Sequence, residues 1–175
     1  LADYDDRFGV EAKAVYSMGN GKIWVGGSSY DVADSDGDYD ATAAEIGANF
    51  NVGNLGLTAY YYSGEGNGAG NGLNRLGNLA NEREQDGGYL QATYVIASGT
   101  KLGVAVATSS QDLASGETAG ATDAFESNDR WTVGAYHPLT KHLNLVAEYN
   151  NIESEDHQGD TAESSHLNLG AILFF

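Results

Sequence analysis

Traced back from its last residue, the chain repeats one pattern, in which apolar side chains occupy every second position and polar or small ones lie between. In the final segment Leu167, Leu169, Ala171, Leu173 and Phe175 alternate with His166, Asn168 and Gly170. Before it, Leu143, Leu145, Ala147 and Tyr149 alternate with Asn144, Val146, Glu148 and Asn150, and Trp131, Val133, Ala135, His137 and Leu139 with Arg130, Thr132, Gly134 and Tyr136. A β-strand sends successive side chains to opposite faces, so each run predicts a strand with one apolar and one polar side. The same reading places strands at Leu102 to Ser109, Leu90 to Ile96, Leu55 to Tyr61, Ala44 to Val52, Ile23 to Gly27 and Arg7 to Tyr16, which brings the number to about nine.

The connections alternate too. Tight turns fall near residues 19–21, 53–54, 97–100 and 140–142, and long polar connections near 33–40, 64–86, 112–128 and 153–164. Strands between lipid and a wet lumen need this alternation, and outer-membrane barrels put short turns in the periplasm and long loops outside. The expected fold is therefore all-β, an antiparallel transmembrane β-barrel forming a single domain over 1–175, with a periplasmic C-terminus and extracellular long loops.

Composition alters this picture little. A mean hydropathy of -0.36 and a net charge of -17 suit an acidic soluble protein, but alternation hides a barrel strand from any averaged hydropathy. No stretch approaches the roughly 18 consecutive apolar residues of a membrane helix. The chain has no cysteine, which removes disulfides and thiolate metal sites, and no nucleic-acid partner is expected at this charge. An odd strand count conflicts with antiparallel closure, since the first and ninth strands would both descend. The expectation is that the chain is the C-terminal part of a longer barrel; the alternatives are a tenth strand hidden from this pattern or an unusual closure.

The terminal strand Leu167 to Phe175 and the hairpin from Trp131 through Pro138, Lys141 and His142 to Tyr149 resemble the trimeric porins of Gram-negative outer membranes, and the likeness covers nearly the whole chain. It implies the last nine strands of a barrel of roughly 16. It also implies a homotrimer that passes ions and small hydrophilic solutes without a cofactor. In that family the terminal aromatic residue is read by the barrel-assembly machinery. The loop that narrows such pores belongs to the first half of the family's barrel, so no residue here is carried over to it.

The candidate pore-lining residues are the polar members of the alternation: Glu11, Lys13, Glu45, Asn49, Tyr60, Gln91, Thr93, Arg130, Thr132, Asn144, Glu148, Asn150, His166 and Asn168. A charge on a strand costs little only where its face meets water, and fixed charges in a narrow lumen focus potential. Hydrating the wall is the plainer role for each. The lipid-facing set of the terminal strand is Leu167, Leu169, Ala171, Leu173 and Phe175, and Tyr16, Phe50, Tyr61, Tyr94, Trp131 and Tyr149 suit the interfacial aromatic girdles.

Acid gathers in the predicted loops. Asp34, Asp36, Asp38 and Asp40 have the every-second-residue spacing of a weak calcium site, although Gly37 and Tyr39 do not fit the helix-loop-helix form. Such a cation would brace the loops or bridge to lipopolysaccharide, the other expected contact besides outer-membrane lipid. A solvated acidic surface is the preferred reading, and either makes the mouth electronegative and modestly cation-preferring.

Enzyme-like signals are weak. The glycines of 64–72 lack the buried strand and the helix that flank a dinucleotide site, His137 and His142 lack a third clustered ligand, and the neighbours Ser165 and His166 point to opposite faces. The main reading is a passive diffusion channel and not an enzyme. The alternative is a non-conducting barrel whose acidic loops serve adhesion or envelope anchoring. A soluble β-sandwich stands third, because alternation alone also suits sandwiches.

Overall fold

The computed structural model describes residues 8–34, 37–66, 83–119 and 125–175. Nine antiparallel strands form one sheet in chain order: β1 (Gly9–Met18), β2 (Gly21–Asp34), β3 (Gly37–Val52), β4 (Leu55–Glu65), β5 (Glu84–Val95), β6 (Lys101–Gln111), β7 (Phe125–Thr140), β8 (Leu143–Asp156) and β9 (Thr161–Leu173). Every strand pairs with its neighbour in sequence, and β1 and β9 are the two edges.

Turn chemistry explains one end of the sheet. Gly53 adopts a φ of +59° beside Asn54, and Gly99 a φ of +81° in the turn after β5, where its N–H donates to Ile96 O at 2.9 Å. Glycine pays no side-chain penalty in this left-handed region. Between β7 and β8 the turn is Lys141 and His142 only, tighter than the three-residue connection expected. A register shift between Pro138 and Thr140 precedes it, and Pro138, which has no N–H to give the ladder, stands beside this bulge.

At the opposite end two connections are shorter than the sequence suggests. Instead of loops at 33–40 and 153–164, β2 and β3 run on as a ladder that pairs Asp34 with Gly37, and β8 and β9 pair as far as Glu155 and Thr161. Asp156 closes the second hairpin: its carboxylate accepts from the backbone N–H groups of Gln158 and Asp160 at 2.8 and 3.0 Å. β3 and β7 have 16 residues each, and crossing a bilayer takes about 9–11. Polar alternation sustains a backbone ladder as well as apolar alternation does, so composition alone reads these extensions as loops.

The sheet has no interior of the globular kind. Among the described residues the buried hydrophobic side chains are Ala41 and Ala114, whereas Val25, Ile46, Leu90, Val104 and Leu169 lie exposed on one side. A β-sandwich would bury that side against a second sheet. So wide an apolar surface needs an apolar environment.

Candidate functional site: the polar face of the sheet

Directly opposed residues of an antiparallel pair point to the same face, so the strand registers can be followed across the whole sheet. One row runs Lys22, Asn49, Thr58, Gln91, Ala105, Thr132, Asn150 and His166. The next contains Trp24, Gly47, Tyr60, Tyr89, Ala107, Arg130, Ile152 and Ser164, and beyond it lie Lys13, Gly26, Glu45, Tyr62 and Gly87. On the other side of the first row come Gly56, Thr93, Gly103, Gly134, Glu148 and Asn168. Glu11 pairs with Ser28, and Asn144 with Ile172. Thus the registers gather every sequence-selected polar residue on one face.

The opposite face carries Ile23, Ala48, Ala59, Leu90, Val106 and Trp131 in one row, and Phe50, Leu57, Ala92, Val104, Val133, Tyr149 and Leu167 in the next. Leu169, Ala171 and Leu173 continue it opposite Ala147, Leu145 and Leu143. Phe175 lies beyond β9. Pairing still continues past the strand, because Phe174 N–H donates to His142 O at 2.8 Å and His142 Nδ1 stands 3.1 Å from Phe174 O.

Two polar clusters stand out. In the first, the Lys13 ammonium lies 2.6 Å from Glu45 Oε1 while the Tyr60 hydroxyl donates to Glu45 Oε2 at 2.8 Å. Tyr30 on β2 donates to Glu11 nearby. In the second, Arg130 and Thr132 both donate to Asn150 Oδ1, Thr132 at 2.7 Å, and Tyr136 donates to Glu148. Asn150 is fully buried beneath this network.

Tyr30 and Tyr136 in these clusters, and four further groups on the same face, are not in the sequence-selected set. Trp24, Tyr62 and Tyr89 join Tyr60 in a continuous aromatic patch, with ring centroids 6.4 Å apart for Trp24 and Tyr60, 6.1 Å for Tyr60 and Tyr62, and 5.6 Å for Tyr60 and Tyr89. Lys22 places its ammonium 5.5 Å from the Trp24 ring centre, within cation–π range. The alternation of Ile23 and Val25 carried the signal for Trp24 and Lys22, because their neighbours must face the other way.

Charge is segregated along the strands. The polar face carries Glu11, Glu45 and Glu148 against Lys13, Lys22, Lys101 and Arg130, so the wall itself is not acidic. The acids gather on the other face at the long-connection end, where Asp31 opposes Asp40, Glu65 opposes Glu84, and Asp129, Glu153 and Glu163 share a row. Lys22, Lys101 and Lys141 lie at the short-turn end.

Other expected sites fare differently. Asp40 is described, but Asp36 and the side chains of Asp34 and Asp38 lie outside the described residues. Among the described residues no three His, Asp or Glu side chains converge as a metal site. His137 Nδ1 lies 2.9 Å from Thr100 Oγ1, tying two adjacent turns, and Ser165 and His166 fall on opposite faces. Beyond the strands, Arg83 forms a bidentate ion pair with Glu117, both bonds 2.8 Å and both side chains about nine-tenths buried. It links the segments preceding β5 and following β6, both of which read only as loops in the sequence.

The sequence profile of the Gram-negative porins matches residues 1–157. No curated protein matches the chain. Among solved structures it is similar to the outer membrane channel DcaP of Acinetobacter baumannii, with 18% identity and a TM-score of 0.82 over 95% of this chain and 51% of that one. It is also similar to an anion-selective porin from Comamonas acidovorans, with 14% identity and a TM-score of 0.71 over 95% of this chain and 49% of that one. OmpT of Vibrio cholerae gives 16% identity and a TM-score of 0.67 over 97% of this chain and 56% of that one. The chain thus spans about half the length of the solved structures it matches.

Proposed function

The chain belongs to the Gram-negative porin family, and from that premise we propose that its nine strands form wall of a water-filled channel for passive diffusion of ions and small hydrophilic solutes across the outer membrane. The observation that carries this reading is the register of the two faces, one polar and one apolar, followed across all nine strands with shifts only near the two ends of β7. Lipid solvates the apolar face and water the polar one, so Glu11, Lys13, Glu45, Asn49, Gln91, Arg130, Asn144, Glu148, Asn150, His166 and Asn168 line the pore. The short turns lie in the periplasm with the C-terminus, and the long connections face outward. The working assembly is a homotrimer inserted by the barrel-assembly machinery, and its acidic outer rim meets lipopolysaccharide through bridging cations.

Because wall charges nearly cancel, a modest cation preference comes from the acids of the outer rim, which stand on the other face of the strands and reach the mouth through space. Fixed mouth charges act over a Debye length, about 10 Å at 0.1 M salt and about 3 Å at 1 M. Planar bilayers containing the protein should show conductance steps, with reversal potentials in a KCl gradient that favour K+ and drift toward neutrality at high salt. Anion preference at low salt would remove the mouth-charge account. A folded protein that gives no steps would favour the adhesion or anchoring role.

A further inference from the structure

We propose that the aromatic patch on β2, β4 and β5 is a binding track for neutral sugars, in which the pyranose ring stacks on Trp24, Tyr60 and Tyr89. The proposal rests on the reading of the polar face as the lumen. Trp24, Gly47, Tyr60 and Tyr89 are successive members of one register row, so the rings run around the wall at one level along the strands. Aromatic rings on a water-facing wall forgo the lipid interface that suits them on the other face.

Glycines make the rings lie flat. A Cβ on Gly47 would sit 2.1 Å from the Trp24 ring, so the indole rests directly on the backbone of β3. A Cβ on Gly87 would come within 2.8 Å of the Tyr62 ring in the same way. Trp24 and Tyr60 lie within 24° of parallel. The result is a tiled apolar strip that offers ring faces.

The strip has polar borders. On one side are Glu45 and Lys13, paired with each other, and on the other Asn49, whose amide donates to Thr58 Oγ1 at 2.8 Å. A pyranose ring has a face of C–H groups, which favours the electron-rich aromatic face, and a rim of hydroxyls, which needs both donors and acceptors. The bordering groups supply both; Glu45 neutralises Lys13 while Lys22 stays as a cation at the Trp24 end, so the ring faces, and not the charge, select the polyhydroxylated solute. An aromatic carboxylate could use Lys22, and Lys13 5.7 Å from the Trp24 ring centre, and it is the competing occupant.

These 175 residues hold two tryptophans, and Trp131 stands on the apolar face, so Trp131→Phe leaves Trp24 as the one tryptophan of this stretch, and the difference from a Trp24→Phe, Trp131→Phe counterpart isolates its emission. In that variant, purified from the membrane in detergent, maltohexaose should change the emission saturably. Tyr89→Leu should weaken the apparent affinity by about four- to tenfold, as loss of a stacking ring predicts. Tyr60→Phe keeps the ring and should stay within about threefold, provided that both variants retain the heat-modifiable mobility of a folded barrel. The same sugar should block single-channel current in bilayers. Ion steps without a sugar response would overturn the track and leave the channel standing. A saturable Trp24 response without ion steps would keep the track and overturn the channel. A response to benzoate but not to maltohexaose would also overturn it.

Discussion

Asn150 shows how a single residue can be set by its neighbours on the polar face. Its side chain is fully buried, and its Oδ1 accepts from both Arg130 and Thr132. Replacing it with Ala leaves two donors facing a small void, and an unmade hydrogen bond of this kind costs about 1–3 kcal/mol. Asn150→Ala should lower the urea midpoint in detergent micelles accordingly, and Asn150→Asp, which keeps the acceptor, should recover most of the loss. Equal midpoints for Asn150→Ala and the parent would show that Arg130 finds water instead. The period of the strand marked Asn150 as polar-facing, but its burial depends on where the Arg130 guanidinium lies, and that is set by packing across β7 and β8. The Arg83–Glu117 pair is a stronger residue-scale case. Removing one member of a buried pair costs about 3–5 kcal/mol, because the partner is left charged and desolvated. Glu117→Ala should therefore speed protease cleavage between β6 and β7 on intact cells while heat modifiability is unchanged. Unaltered cleavage would show that the pair does not hold that segment.

At the scale of elements, what decides is the ladder. β8 and β9 remain paired through Glu155 and Thr161, so amides of 153–155 and 161–164 should exchange with deuterium as slowly as those of neighbouring strand residues. Complete exchange within seconds would restore the loop reading. All nine strands and all four tight turns were legible in the sequence, because alternation and the Gly and Asn positions are local signals. The two overextended hairpins were not, because a run such as Glu153, Glu155 and Asp156 looks like a loop by composition although its backbone bonds are made elsewhere. The glycines carried a further signal that alternation leaves silent. Gly47→Ala should push Trp24 off the wall and shift its emission, which spectra of the Trp131→Phe background will check; an unshifted spectrum would mean that the indole does not rest on β3.

The whole molecule depends on sums that no single strand displays. The assignment of faces followed from the period, yet the near-balance of charge on the polar wall emerges only once the registers bring Lys22, Lys101 and Arg130 beside the carboxylates. The aromatic patch was hidden for the same reason: Trp24, Tyr60 and Tyr89 are far apart in sequence and meet only through the pairing of β2 to β5. The axial separation of charge has an electrical consequence. Acids crowd one end of the strands, and Lys22, Lys101 and Lys141 occupy the other, so a channel walled by this sheet should behave as a weak ionic diode. Current driven at opposite polarities through unidirectionally inserted protein should differ at low salt, and the asymmetry should vanish as screening shortens the reach of both ends. Symmetric current–voltage curves at low salt would mean that the two ends contribute no net field along the pore. With rectification present, the direction of easy cation flow would report which way round the protein sits in the membrane.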